Sequence, residues 1–141
     1  VVGVDSLLTQ LARCCRPAPP DEIVGFVTRG RGVSIHRADC TNAHALGERE
    51  HERLIEVTWG AQPDAVYPVE IFVVAQDRNG LLRDISEVFA REKQNVIGVN
   101  TASSKGDARM NFTVEVRDAA ELARTLSLVR DVKGVMSARR R

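Results

Sequence analysis

Only three cysteines occur in this 141-residue chain, all within its first 40 positions. An odd count without a secretory leader argues against a disulfide-stapled extracellular scaffold and points to a reducing cytoplasm. Aromatic residues make up 4% of the sequence, so aliphatic side chains must supply most of any core, and no row of rings offers itself for base stacking. No apolar run approaches the roughly 18 residues that span a bilayer. Charge of one sign is lacking as well. The formal net charge is +1, with 7 basic against 8 acidic residues up to Gln62 and 13 against 11 beyond it. Neither half is a polybasic binder. There is no P-loop, no hydrolase-type His/Asp pair and no nucleophile–base–orienter set, so no catalysis is expected within these residues. The chain begins with valine, which reads as a piece of a longer protein.

The bulk that remains, 43% hydrophobic and 28% charged, belongs to a soluble globular chain long enough for one ordinary domain or two small ones. All three cysteines fall within "ARCCRPAPPDEIVGFVTRGRGVSIHRADC", residues 12–40. Cys14 and Cys15 are adjacent, and Cys40 follows His36 at a spacing of four. Three cysteines and one histidine complete a tetrahedral set for structural zinc, although C-C-x20-H-x3-C departs from the usual C-x2-C knuckle. A site with four protein ligands is closed and serves folding, not hydrolysis. The competing reading treats the thiols as small buried hydrophobes and His36 as a surface residue. A Cys/His nucleophile is a third, without an accompanying oxyanion motif. His44 and His51 lie among polar residues and read as solvated.

Periodicity assigns the elements. Val4, Leu7, Leu8 and Leu11 are at helical spacing, predicting a short helix into the cysteine pair, stopped by Pro17, Pro19 and Pro20. "EIVGFVTR" and "GVSIHR" read as a hairpin around a Gly-Arg-Gly turn. Asp39 is placed to cap a short helix over 40–46, "RLIEVTW" is a third strand, and 60–67 is a linker. From residue 68 the signals are strand, helix, strand, strand, helix, strand. Leu81, Ile85, Val88 and Phe89 form one helical stripe, and Leu122, Leu126 and Val129 another. Met110, Phe112, Val114 and Val116 alternate with Asn111, Thr113, Glu115 and Arg117. Asp118 with Glu121 has the spacing of a capping box. The expected fold is α+β: a small β-rich, zinc-finger-like domain over 1–59, then a βαββαβ ferredoxin-like domain over 68–141. In the latter, right-handed crossovers place both helices on one face of a four-stranded antiparallel sheet.

Those residues carry a resemblance. The cysteine-rich stretch resembles the zinc-finger or ribosome-intersubunit domain near the C-terminus of RelA/SpoT-type bifunctional guanosine tetra- and pentaphosphate synthetase/hydrolases. The half containing "DRNGLLRDIS" resembles the ACT domain that ends them. The resemblance implies zinc on Cys14, Cys15, His36 and Cys40, and a regulatory and self-association role for these cysteines and for Asp39. It implies a stringent-response function: relaying contact with the ribosome and uncharged tRNA, and so amino-acid starvation, to upstream catalytic domains. Synthesis from GTP or GDP and 3'-pyrophosphohydrolysis would reside in those domains, not here. Arg29, Arg31 and Arg37 are candidate RNA contacts, or else part of a solvated hairpin turn. For ACT domains, the resemblance implies an amino-acid effector on the loop Asp77, Arg78, Asn79, Gly80, Leu81 and Leu82, facing Asn95, Val96 and Ile97. The alternative is a plain strand-to-helix turn. An amino-acid sensor acting through a homodimer, and a zinc-stabilised oligomerisation module, are the competing functional readings.

Overall fold

The computed structural model describes residues 3, 8–28, 32–60 and 64–141. The chain divides into two compact units, 1–65 and 66–141.

The first unit is a four-stranded mixed sheet in the order β1-β3-β2-β4, formed by β1 (Leu8–Leu11), β2 (Ile23–Thr28), β3 (Gly32–Arg37) and β4 (Leu54–Glu56). The hairpin pairs Val24 with His36 and Phe26 with Ser34. Alternation then sends Ile35, Val33 and Val57 into one apolar cluster and Phe26, Cys15, Cys40 and Ala43 into another. Helix α1 (Thr41–Arg49) covers the second cluster through Ala43, and a 3₁₀ turn (His51–Arg53) leads into β4.

Three expectations fail here. No helix spans the residues described before the cysteine pair: 8–11 are a strand, parallel to β3. Val4 and Leu7 lie outside the described residues. The spacing misleads because Leu8 is 80% exposed and only Leu11 packs inward. What fixes β1 is backbone access. A Cβ on Gly32 would sit 2.1 Å from the Leu8 carbonyl oxygen, so only glycine admits this pairing. Nor does Asp39 cap α1. Cys40 is the N-cap, without a side-chain capping bond, and the Asp39 carboxylate instead accepts from Arg37 at 2.7 Å. The third strand is also shorter than the "RLIEVTW" run, closing at Glu56. Trp59 beyond it donates its indole N–H to the Asp21 carbonyl.

The second unit has the order β6-β7-β5-β8, all antiparallel: β5 (Tyr67–Gln76), β6 (Val96–Ser104), β7 (Asp107–Val116) and β8 (Val135–Arg140). Helices α2 (Leu81–Arg91) and α3 (Ala119–Arg130) lie between β5 and β6 and between β7 and β8 in sequence. Val69, Ile71 and Val73 of β5 and Met110, Phe112 and Val114 of β7 are buried, as are the predicted stripes of both helices. Phe89 of α2 meets Phe112 ring to ring at 5.1 Å, placing the helices on the sheet face that β7's apolar residues line. The Asp118 carboxylate accepts the Glu121 N–H at 2.8 Å, and the Glu121 carboxylate accepts from the Arg117 N–H and the Gln94 amide. That amide also accepts from fully buried Thr125 at 2.9 Å, so the two buried polar residues of this core, Gln94 and Thr125, are hydrogen-bonded. Among the described residues, no helix is long and apolar enough to cross a membrane.

Candidate metal centre and effector loop

Three short-range devices bring four side chains of the first unit together. After β1 the chain turns through 13–15, with the Arg16 N–H closing onto the Ala12 carbonyl at 3.1 Å. A turn, unlike a strand, lets adjacent Cys14 and Cys15 point the same way. β3 delivers His36 on the face shared with Phe26, whose ring meets the imidazole edge-on at 5.7 Å. The start of α1 delivers Cys40. Cys14 Sγ lies 3.5 Å from His36 Nδ1 and 3.7 Å from Cys40 Sγ, and Cys15 Sγ lies 3.9 Å from His36 Nδ1. All four ligand atoms fall within 4.8 Å of one another, and the group could hold a metal ion.

The surroundings suit that use. Cys15, His36 and Cys40 are buried and Cys14 is exposed. The Cys15 sulfur accepts the Arg37 N–H at 3.3 Å. Ser34 Oγ is 3.0 Å from His36 Nε2 and engages the nitrogen that faces away from the thiols. Burial pushes the Cys15 thiol up to about 12, against the Arg37 N–H and reinforced by Cys14 and Cys40. Burial also lowers His36, favouring the neutral imidazole that binds metals. Burial raises Cys40, but the Ala43 N–H, the Cys14 thiol, the Asn42 N–H and the Cys15 thiol outweigh it, so its net direction is down.

Of the candidate RNA contacts, only Arg37 lies within the described residues. Arg29 and Arg31 lie outside the described residues, and Arg37 is paired with Asp39.

In the second unit, residues 77–83 line a hollow of about 330 Å³ with Thr101, Ala108 and Met110. Gly80, at φ 81°, is the N-cap of α2, a left-handed conformation that favours glycine. Leu81 is buried in the core and Leu82 is exposed. Asp77 is tied by its N–H to the Gly106 carbonyl at 2.8 Å. One correction applies to the expected effector set. Asn95, Val96 and Ile97 do not face this loop: Val96 pairs with Val114, which pairs with Val69, whereas the loop leaves β5 after Gln76. Seven strand residues separate the two ends, about 24 Å. Arg78, for its part, is already engaged. Its guanidinium donates to the Lys133 carbonyl at 3.0 Å, the Asn79 carbonyl at 3.0 Å and the Asp84 carboxylate at 2.8 Å, strapping this loop to the α3–β8 connection. Neither the strap nor the Ser34 support was visible in the sequence, because both depend on which atoms meet after folding.

A βαββαβ sheet with both helices on one face, preceded by a small β unit carrying a candidate four-ligand set, defines a two-domain architecture. Residues 63–140 match the ACT domain model and residues 1–60 match the RelA/SpoT RIS domain model. The chain belongs to the ACT-domain family and is the RIS–ACT region of a RelA/SpoT-type protein. It is 44% identical over 142 residues to the GTP pyrophosphokinase of Escherichia coli strain K12, covering 99% of this chain and 19% of that protein. It is 47% identical over 137 residues to the bifunctional (p)ppGpp synthase/hydrolase RelA of Mycobacterium tuberculosis, covering 96% and 18%. The chain thus spans less than a fifth of the length of these curated relatives. The crystal structure of the ACT domain from the GTP pyrophosphokinase of Chlorobium tepidum superposes with a TM-score of 0.50 at 22% identity, covering 55% of this chain and all of that one. That likeness concerns the fold.

Proposed function

We propose that this chain is the C-terminal regulatory region of a cytoplasmic (p)ppGpp synthetase/hydrolase. In this reading it does no chemistry itself and passes the state of the ribosome and of uncharged tRNA to catalytic domains elsewhere in the protein. The observation that carries it is the convergence of Cys14, Cys15, His36 and Cys40 in the unit that matches the RIS domain, directly ahead of an ACT fold. The ion is zinc. Bonds of about 2.3 Å to sulfur and 2.05 Å to nitrogen imply tetrahedral edges of about 3.8 Å between sulfurs and 3.6 Å between sulfur and nitrogen. Three of the spacings here, 3.7 Å between Cys14 and Cys40 and 3.5–3.9 Å from His36 to Cys14 and Cys15, lie close to these, and all lie within 4.8 Å. Zinc supplies a cross-link only. The protein side chains hold β1, β3 and α1 as one body whose surface is available for partners. The test removes this region from the full-length enzyme and measures synthesis against hydrolysis, with and without ribosomes carrying uncharged tRNA. The ratio is expected to change; an unchanged ratio in both conditions would end this reading.

A second reading, amino-acid sensing through an ACT homodimer, draws on the hollow at residues 77–83. Calorimetric titration of the chain with the twenty amino acids discriminates between the two. Saturable heat that is lost when Asn79 is replaced supports sensing, and flat titrations dismiss it.

A further inference from the structure

We propose that Cys14 and Cys40 form an oxidation-sensitive pair, which a hydroperoxide converts to an intramolecular disulfide with release of the metal. This rests on the zinc reading above for the release, though not for the disulfide. The argument starts from access. Of the three thiols, Cys14 is exposed while Cys15 and Cys40 are buried at 7% and 8%, so a peroxide arriving from solvent meets Cys14. The Cys14 sulfur attacks the peroxide; the O–O bond breaks and an S–O bond forms. The second oxygen leaves as alcohol or water with a proton from the thiol, or from solvent where the metal has replaced it. The resulting sulfenic acid needs a second sulfur.

Two are at hand, and geometry chooses between them. A bond to Cys15 would link adjacent residues through a small ring that a planar trans peptide resists. Cys40 Sγ lies 3.7 Å away on a different element, and an approach of about 1.7 Å brings it to disulfide length. Cys40 attacks the sulfenic sulfur; S–S forms, S–O breaks, and the hydroxyl leaves as water. The two sulfurs supply both electrons that reduce the peroxide. Cys15 and His36 alone then face the metal, half the complement of a closed structural site. The turn at 13–15 stays stapled to α1, but its link to β3 through the cation is gone.

The experiment uses the full chain after its zinc content has been measured. Hydrogen peroxide is added at one equivalent and then in excess, remaining thiols are alkylated, and tryptic peptides are mapped with fragmentation that separates Cys14 from Cys15. In parallel, released zinc is followed with a chromogenic chelator. The expected result is a Cys14–Cys40 disulfide within one chain, with one zinc released per disulfide formed. A predominant disulfide through Cys15, a disulfide between chains, or thiols still fully alkylatable in excess peroxide would each overturn the inference. A chain that holds no zinc but yields the Cys14–Cys40 bond would sink the zinc reading and leave the thiol pair standing.

Discussion

Ser34 Oγ sits 3.0 Å from His36 Nε2, two residues back on the same strand face. With the proton on Nε2 donated to this hydroxyl, Nδ1 keeps its lone pair for a metal held among the sulfurs, and the ring is held in the orientation that points Nδ1 toward Cys14 and Cys15. Replacing Ser34 by Ala removes no ligand, yet it frees the ring to rotate and to change tautomer. Zinc affinity is expected to fall about tenfold to a hundredfold. Competition against a chelator of known strength reads this directly, and an unchanged affinity would deny Ser34 any part in orienting the ligand.

Gly32 and Leu8 set the position of the cysteine pair from the other side. The Leu8 carbonyl approaches so closely that a methyl group on Gly32 would meet it at 2.1 Å. Gly32→Ala must push β1 off β3, at a cost of roughly 1–3 kcal/mol. Since the turn bearing Cys14 and Cys15 follows β1 directly, metal affinity is expected to fall with stability. Hydrogen exchange over residues 8–11 together with urea unfolding checks both. If exchange is unaltered, β1 does not depend on this approach.

The strap in the ACT unit makes a pH prediction. The Asp84 carboxyl is held below its ordinary value of 3.8, chiefly by its hydrogen bond to Arg78, against some loss of hydration and with help from Arg83. A folded-state pKa below the unfolded one stabilises the protein above the unfolded value, and that stability fades as pH falls through the folded value. Asp84→Asn is therefore expected to be less stable than the parent near neutrality. The gap should close on acidification, as pH falls below 3.8 and through the folded-state value. Urea midpoints across that range measure it; a gap that persists at the acid end would assign the effect to packing.

How far the sequence could be read depended on where each signal was stored. The ACT half was legible because its information is local and periodic. The stripe from Leu81 to Phe89 and the alternation from Met110 to Val116 each specify an element and its buried face at once. The ligand set was legible only as a tally of donor types at an odd spacing; its convergence required a turn, a strand face and a helix start to coincide. β1 was not legible, since "LTQL" is as compatible with a helix as with a strand and is decided by a glycine more than twenty residues downstream. Asp39 misled because a nearby guanidinium competed with the helix end for its carboxylate. The engagement of Arg78 was not legible either, because one of its acceptors, the Lys133 carbonyl, is 55 residues away.

Removal of the metal should act on one unit and spare the other. Every candidate ligand lies in β3, at the start of α1, or in the turn after β1, whereas the ACT core is built from Ile71, Phe89, Phe112, Val129 and their neighbours, with buried Gln94 and Thr125 hydrogen-bonded within that unit. Treating the zinc-loaded chain with a strong chelator is thus expected to speed amide exchange in β1, β3 and α1 by at least about tenfold. Exchange in β5, β7, α2 and α3 should not move. Cys15→Ala should reproduce the pattern without chelator, since it deletes one of the buried ligands. Uniform acceleration over both units would mean that the ACT fold depends on the metal centre, and no acceleration anywhere would mean that the four side chains are held by packing alone.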